Sequence, residues 1–167
     1  MIVSLPAQIL VPVDAASSVK FTIKNFGLKV DGSMKGLQGK ITFNPAGLGT
    51  ASFTVSADAA TINTNNGTRD SHLKKEDYFD VAKYPRLQFI STKIAATNNP
   101  AVFKIEGNIT IKGITKFLSF PFTVVEKPDG HMFLGEFTIN RRDFKVGGNS
   151  LVLSDNLIVT LNVFAKK

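Results

Sequence analysis

Apolar and polar residues alternate with a period of two along most of this chain, and that pattern constrains the fold more than any other feature. Between Ser17 and Asn25, Val19, Phe21 and Ile23 share one parity, while lysines and threonine take the other. Such alternation is typical of a strand with one buried and one solvated face. The same pattern predicts further strands over residues 30–44, 51–64, 87–95, 102–111, 117–125, 132–140 and 157–165.

Short turns between about eight strands predict an antiparallel sheet. The sequence offers no long helix to cover that sheet, so its apolar face must be buried by closure into a barrel or by packing as a sandwich. Gly32, Gly36 and Gly39 interrupt the second strand and predict a bulge, one of the devices that bend a closed sheet. We expect an all-β fold, an antiparallel eight-stranded barrel of a size that holds one small ligand.

The length of 167 residues suits a single domain, residues 1–167, with a sizeable core. Residues 1–14 are apolar but interrupted by Pro6 and Pro12. Proline cannot donate to a strand ladder, so this segment is expected to be a leading arm or an edge strand and not a central strand.

Within residues 69–91 the period of two is interrupted, and it resumes at Leu87 and Phe89. Asp70 or Ser71 can cap the start of a helix there, and Pro85 disfavours helix at the residue before it. We therefore expect a short helix between Asp70 and Ala82, placed between two strands where it plugs an open end of the barrel.

The chain has 14 Phe, two Tyr and no Trp. Phenylalanine has no polar group, so its usual place is a dry interior. That interior is either a filled aromatic core or a lined apolar cavity, and composition leaves both open. Ala57 and Ala59 lie on the inward parity of their strand, where small side chains leave space unless larger neighbours fill it.

A formal charge of +7 raises the question of nucleic-acid or anionic-membrane binding. The charges are scattered, and around Phe21 the lysines Lys20 and Lys24 take the opposite parity. A single-strand binder sets aromatic and basic residues on one face. We therefore expect no nucleic-acid partner and a solvated basic exterior, with binding to an anionic membrane surface as an alternative function.

Catalytic and metal-binding signatures are weak. The chain has no Cys and only two His, His72 and His131. No nucleophile stands beside a base in a recognisable arrangement, and no ligand spacing typical of metals occurs. We expect a protein that is not an enzyme and that has no metal and no cofactor.

Three groups of residues resemble motifs of the YceI-like family, bacterial lipid-binding proteins with a lipocalin-like barrel. The resemblance spans roughly residues 18–163. It rests on Arg69–Leu73 (RDSHL), Asp77–Val81 (DYFDV), Tyr84–Pro85 and Phe89-x-Ser91, then on Gly107–Lys116 (GNITIKGITK), and finally on Ile139–Phe144 (INRRDF).

That resemblance implies binding or transport of a long apolar lipid, a polyisoprenoid, an isoprenoid quinone or a similar molecule. The partner is then an isoprenoid or fatty-acyl lipid. The resemblance is also compatible with a homodimer and with transient membrane contact. It also implies a periplasmic or secreted protein. Residues 1–7 lack the basic and long apolar regions of a signal peptide, which fits a mature chain with an added Met1. A structural or interaction barrel with a filled core is the alternative from another class.

The expected ligand-binding set consists of residues on the inward parity: Phe21, Ile23, Phe43, Phe53, Val55, Ala57, Ala59, Phe89, Ile109, Ile111, Phe120, Phe122, Phe137, Ile139 and Leu161. Arg69, Arg141 and Arg142 are head-group candidates, because a guanidinium group binds phosphate and carboxylate well. The alternative for these arginines is loop anchoring through ion pairs and caps, with Arg69 beside Asp70 and Arg141 near Asp143.

Overall fold

A computed structural model of the chain describes residues 8–167. It contains nine strands, one short α-helix and three 3₁₀ turns at Asp14–Ala16, Leu48–Thr50 and Arg141–Phe144. The strands are β1 (Ile9–Pro12), β2 (Ser18–Asn25), β3 (Leu28–Thr42), β4 (Ser52–Asn63), β5 (Arg86–Ala96), β6 (Phe103–Ile111), β7 (Ile114–Lys127), β8 (Gly130–Asn140) and β9 (Leu153–Lys166), and the helix α1 is Gly67–Leu73.

Strands β2 to β9 form a closed antiparallel barrel, which confirms the predicted fold. Each strand from β4 to β8 pairs with the next one along the chain, and β2 pairs with both β3 and β9. The ring closes where β3 pairs with β4. Closure leaves none of these eight strands with an unpaired edge, which is how an all-β chain buries one face without a covering helix.

Strand β1 lies in line with β2, between the same two neighbours, β3 and β9, but nearer the other end of the barrel. Its residue Leu10 pairs with Ile41 of β3, and Pro12 pairs with Ala165 of β9. The 3₁₀ turn at 14–16 separates β1 from β2, so the two strands lie between β3 and β9 one after the other. The remainder of the predicted leading arm, residues 1–7, lies outside the described residues.

The predicted bulge is present in β3. Its register against β4 shifts between Ser33 and Lys35 and again between Lys35 and Gln38. Gly36 takes a positive φ of 76° there, a conformation that glycine adopts without steric cost. The inward face of β3 consequently changes parity, from Met34 before the bulge to residues 37, 39 and 41 after it.

Phenylalanines fill one half of the barrel. The ring of Phe43 makes edge contacts with Phe53, Phe103, Phe122 and Phe133 at centroid distances of 5.4–6.4 Å. All but Phe103 are at most 7% exposed. This end, which also contains β1, is a packed aromatic core, and we call it the closed half. The opposite end carries α1 and the β8–β9 connection, and we call it the open half.

Helix α1 begins earlier than expected. It starts at Gly67, because the side chain of Asn66 accepts a hydrogen bond from the Arg69 amide at 3.0 Å and caps the first turn. The expected cap, Asp70, instead accepts hydrogen bonds from the amide and hydroxyl of Thr64. The helix ends at Leu73, so the predicted helical span between Asp70 and Ala82 is wrong beyond that point, and consecutive turns follow it.

Candidate functional site

A cavity of about 780 Å³ occupies the open half of the barrel. Most of its lining side chains are apolar, and they come from all eight barrel strands, from α1 and from the connections at this end of the barrel. Of the residues predicted from parity, the cavity lining includes Phe21, Ile23, Val55, Ala57, Phe89, Ile109, Ile111, Phe120, Phe137, Ile139 and Leu161. The structure thus brings together the greater part of the predicted set.

Four predicted lining residues lie elsewhere. Phe43, Phe53 and Phe122 pack together in the closed half and form its core. Ala59 is buried at 1% exposure but does not line the cavity, and its amide donates to the carbonyl of Pro85 at 2.9 Å. Parity identifies the face of a strand, whereas membership of the cavity also depends on the depth of the residue along the barrel axis.

Glycines in the barrel wall explain why an interior rich in Phe stays hollow. The ring of Phe21 lies so close to Gly32 that any Cβ there would overlap it. Phe89 lies against Gly107 in the same way, with its Cε2 2.9 Å from a Cβ placed on that glycine. A wall without side chains lets these rings lie against the backbone and leaves the centre of the barrel open.

Several lining residues come from irregular segments that carry no strand pattern. Leu73 of α1, Tyr78 and Phe79 after it, and Phe144 and Val146 of the β8–β9 connection all border the cavity. Sequence parity could not find them, because the rule applies only within strands. The DYFDV motif was the available signal, since Tyr78 and Phe79 are its aromatic residues.

The β4–β5 connection, which contains α1, and the β8–β9 connection touch each other in the open half. The amide of Gly147 donates to the carbonyl of Asp77 at 2.8 Å. Gly147 has a φ of 71°, and Cε1 of Tyr78 lies 2.9 Å from the position of a Cβ there. A side chain at position 147 would therefore push apart the segments that close this side of the cavity.

Arg141 anchors the β8–β9 connection. Its side chain is 4% exposed, and its nitrogens make five hydrogen bonds, to the carbonyls of residues 146, 148, 153 and 154 and to the carboxylate of Asp155. A guanidinium group has five N–H donors, so the loop uses all of them. Its carboxylate partner is Asp155 and not the Asp143 considered above, at an N–O distance of 3.3 Å.

Arg69 lines the cavity and uses only some of its donors for hydrogen bonds within residues 8–167. Its Nε donates to the hydroxyl of Thr64 at 2.8 Å and its Nη2 to the carbonyl of the same residue at 2.9 Å. Within residues 8–167, Nη1 makes no hydrogen bond, and Arg69 lines the cavity together with His72. Arg69 and Asp70 both bind Thr64, so the pairing considered for them is indirect.

Arg142 lies outside the cavity. It is exposed, and its Nη1 contacts the side-chain oxygen of Asn149 at 3.4 Å. Of the three head-group candidates, Arg69 alone therefore combines a position in the cavity lining with donors left over.

Within residues 8–167, no three His, Asp or Glu side chains come together closely enough to hold a metal ion. In the same part of the chain, no helix is both long and apolar enough to cross a membrane.

Comparison with known proteins gives a consistent result. A family model described as YceI-like domain matches residues 12–165. A UPF0312 protein from Pseudomonas savastanoi pv. phaseolicola is 31% identical over 137 residues, which cover 78% of this chain and 71% of that protein.

Solved structures share the architecture. The crystal structure of a Campylobacter jejuni YCEI protein is 28% identical with a TM-score of 0.73, and the match covers 83% of this chain and 85% of that one. Burkholderia cenocepacia BcnA matches with a TM-score of 0.87 at 24% identity, over 93% of this chain and 99% of that chain. A polyisoprenoid binding domain from Saccharophagus degradans, implicated in plant cell wall breakdown, matches with a TM-score of 0.75 at 13% identity, over 96% and 99% respectively. At these identities the last two matches establish the fold alone.

Proposed function

The chain belongs to the YceI-like family, and from that premise we propose that it binds one long apolar lipid inside its barrel without acting as an enzyme. The observation that carries the proposal is the cavity of about 780 Å³ with predominantly apolar walls. Small-molecule sites in proteins typically measure roughly 300–1,000 Å³ and are lined mainly by apolar and aromatic side chains. The open half fits that description.

An apolar chain gains binding energy from such walls without polar anchors. Burial of each methylene contributes about 0.8 kcal/mol, so an isoprenoid or fatty-acyl chain of ordinary length can bind tightly in a dry cavity. The Saccharophagus degradans neighbour is described as a polyisoprenoid binding domain, which supports the isoprenoid class for this chain.

Arg69 is the proposed contact for an anionic head group. It lies in the cavity lining, and its Nη1 makes no hydrogen bond within residues 8–167. A charge-assisted bond from guanidinium to a carboxylate or phosphate is about twice as strong as a neutral one. The aliphatic chain would then extend toward Phe120 and Leu161, away from α1.

The alternative of a structural barrel with a filled core describes only the closed half, where the phenylalanines pack. The cavity favours ligand binding for the open half. Transport of the lipid, a periplasmic or secreted location and a homodimer belong to the same proposal and have their support in the family resemblance.

Native mass spectrometry of the purified protein tests the proposal. We expect one bound lipid per chain, identifiable after organic extraction, and uptake of one dansyl-labelled undecanoic acid per delipidated chain. Circular dichroism with a β-sheet spectrum provides the folding control. A folded, lipid-free protein that takes up neither this probe nor a polyprenyl alcohol would overturn the proposal in favour of the structural barrel.

A further inference from the structure

Large apolar side chains are exposed together at the open end of the barrel. Phe26 and Leu28 are 73% and 72% exposed, and Leu151 and Val152 are 103% and 39% exposed. They belong to two adjacent loops, the β2–β3 turn and the segment 149–152, which are joined by a hydrogen bond from the Phe26 amide to the Val152 carbonyl at 2.9 Å. We call these four residues the apolar rim.

The apolar rim is continuous with the mouth of the cavity. Val152 belongs to both, since it lines the cavity and is itself exposed. Its neighbours Ser150 and Leu153 also line the cavity, as does Asn25, which precedes Phe26 in the β2–β3 turn. Any surface that covers the rim therefore also faces the cavity opening.

Phe26 occupies a backbone position that does not favour it. Phe26 and Gly27 have φ values of 52° and 74°, the pattern of a two-residue turn in which Asn-Gly is preferred. A bulky residue with positive φ carries a steric penalty. Packing within the chain does not compensate for that penalty, because the ring is mostly exposed, so the ring is better explained by contact with something outside the chain.

The positive charges near the apolar rim favour a contact with a negatively charged surface. Lys24 and Lys29 lie directly opposite each other in the β2–β3 hairpin, next to the Phe26–Gly27 turn. Like charges in a cross-strand pair destabilise a hairpin unless an anion lies near them. Arg142 adds an exposed cation beside Asn149. The nearest acidic side chain of the hairpin, Asp31, accepts a hydrogen bond from Thr22, two residue pairs further from the turn than Lys24 and Lys29.

We propose that the apolar rim docks into the surface of an anionic lipid bilayer, with Lys24, Lys29 and Arg142 against the lipid head groups. A projecting apolar tip flanked by cations is the arrangement that binds at a membrane interface. This proposal rests on the function proposed above and deepens it. With the rim inserted, a lipid passes between bilayer and cavity without exposing its chain to water.

Flotation with lipid vesicles tests the docking surface. The probe is phosphatidylcholine vesicles containing about one third phosphatidylglycerol, which supply the negative surface that attracts cations. Phe26→Asn should reduce vesicle binding about tenfold, because a buried Phe side chain contributes at least that much, while Asn suits the turn. Leu151→Ser should have a similar effect, and its side chain touches too little of the protein to affect folding.

Further variants test the contribution of the two lysines and the importance of location within the rim. Lys24→Gln with Lys29→Gln should weaken binding roughly fivefold for each lysine removed and flatten its dependence on salt. Phe117→Thr is the matched control, because Phe117 is 65% exposed on the outer wall of β7 and lies outside the rim. It should bind vesicles like the wild type.

Dansyl-undecanoic acid uptake in solution, measured on every variant, separates this proposal from the preceding one. The rim variants should take up the probe like the wild type while losing vesicle binding. Wild-type protein that takes up the probe but does not bind anionic vesicles overturns membrane docking and leaves lipid binding intact. Protein that binds vesicles through the rim but takes up no probe supports the docking surface and argues against the lipid-binding cavity. Equal loss in Phe117→Thr and Phe26→Asn would also overturn the proposal.

Discussion

Ala57 is the position where a single substitution tests the cavity most directly. It lies in β4, opposite Leu87 of β5, and its side chain lines the cavity at 8% exposure. Ala57→Phe places a ring in that space. A cavity of about 150 Å³ holds a benzene molecule, so the ring takes up about a fifth of the 780 Å³ present.

The ring displaces ligand and not packed neighbours, so binding should weaken while the fold persists. Displacement of about four methylenes at 0.8 kcal/mol each removes about 3 kcal/mol. That corresponds to a Kd raised by roughly two orders of magnitude. Displacement of dansyl-undecanoic acid measures the Kd, and urea denaturation measures the free energy of unfolding.

Ala59 provides a matched control two residues along the same strand. It is 1% exposed but lies outside the cavity lining. Ala59→Phe should therefore overpack the wall and lower the free energy of unfolding by about 1–3 kcal/mol, while the folded protein binds the probe normally. A stable Ala57→Phe protein with wild-type affinity would refute the reasoning, and so would equal loss of binding in the two variants.

Three further substitutions test the roles described or proposed above for other residues. Arg141→Met should lower the free energy of unfolding by about 3–5 kcal/mol in urea denaturation, because the buried carbonyl of Val146 and the other four acceptors of Arg141 lose their donor. A loss below 1 kcal/mol would contradict an anchoring role. Arg69→Gln should weaken fatty-acid binding about tenfold and leave fatty-alcohol binding unchanged, since only the acid offers a charged partner; equal effects on both ligands would remove Arg69 from the head-group site. Phe43→Ala should cost about 3–5 kcal/mol of unfolding free energy through loss of the aromatic core with probe affinity retained, and a large loss of affinity would show that the two halves are not independent.

Strand positions could be predicted from the sequence because period two is a local signal that the barrel preserves. Strand β4 was expected over 51–64 and spans Ser52–Asn63. The prediction for β7 began three residues late, at Phe117. The ladder continues to Ile114 because Lys112 and Gly113, with φ of 52° and 74°, form the two-residue turn by themselves. Lysine is uncommon at positive φ, so the composition of this turn gave no sign of how tight it is.

The candidate site was less predictable, because it depends on depth and on irregular backbone. The inward residues of β4 extend from the closed half, where Phe53 lies in the core, to the open half, where Ala57 lines the cavity. The alternation of apolar and polar residues does not indicate where along β4 the closed half ends and the open half begins. The start of α1 was missed for a related reason: Asn66 reads as part of a polar loop until its side chain is seen to accept from the Arg69 amide.

The roles of Arg69 and Arg141 show why a motif can identify a residue without giving its function. Both belong to family-like motifs, and both line the cavity. All five donors of Arg141 bind the segment 146–155, whereas Arg69 binds only Thr64. The balance of donors and acceptors therefore assigns anchoring to Arg141, whereas Arg69 remains the proposed contact for a head group.

The segment that Arg141 holds also carries Leu151 and Val152 of the apolar rim. Arg141 binds carbonyls on both sides of that tip, at Gly148 before it and at Leu153 after it. A buried cation that fixes both ends of an exposed apolar loop keeps the loop projecting from the barrel and prevents it from folding back over the cavity. It follows that the folded fraction of Arg141→Met should bind anionic vesicles more weakly than the wild type, although Arg141 is not a residue of the apolar rim. Wild-type vesicle binding by that folded fraction would show that the rim holds its shape without this anchor.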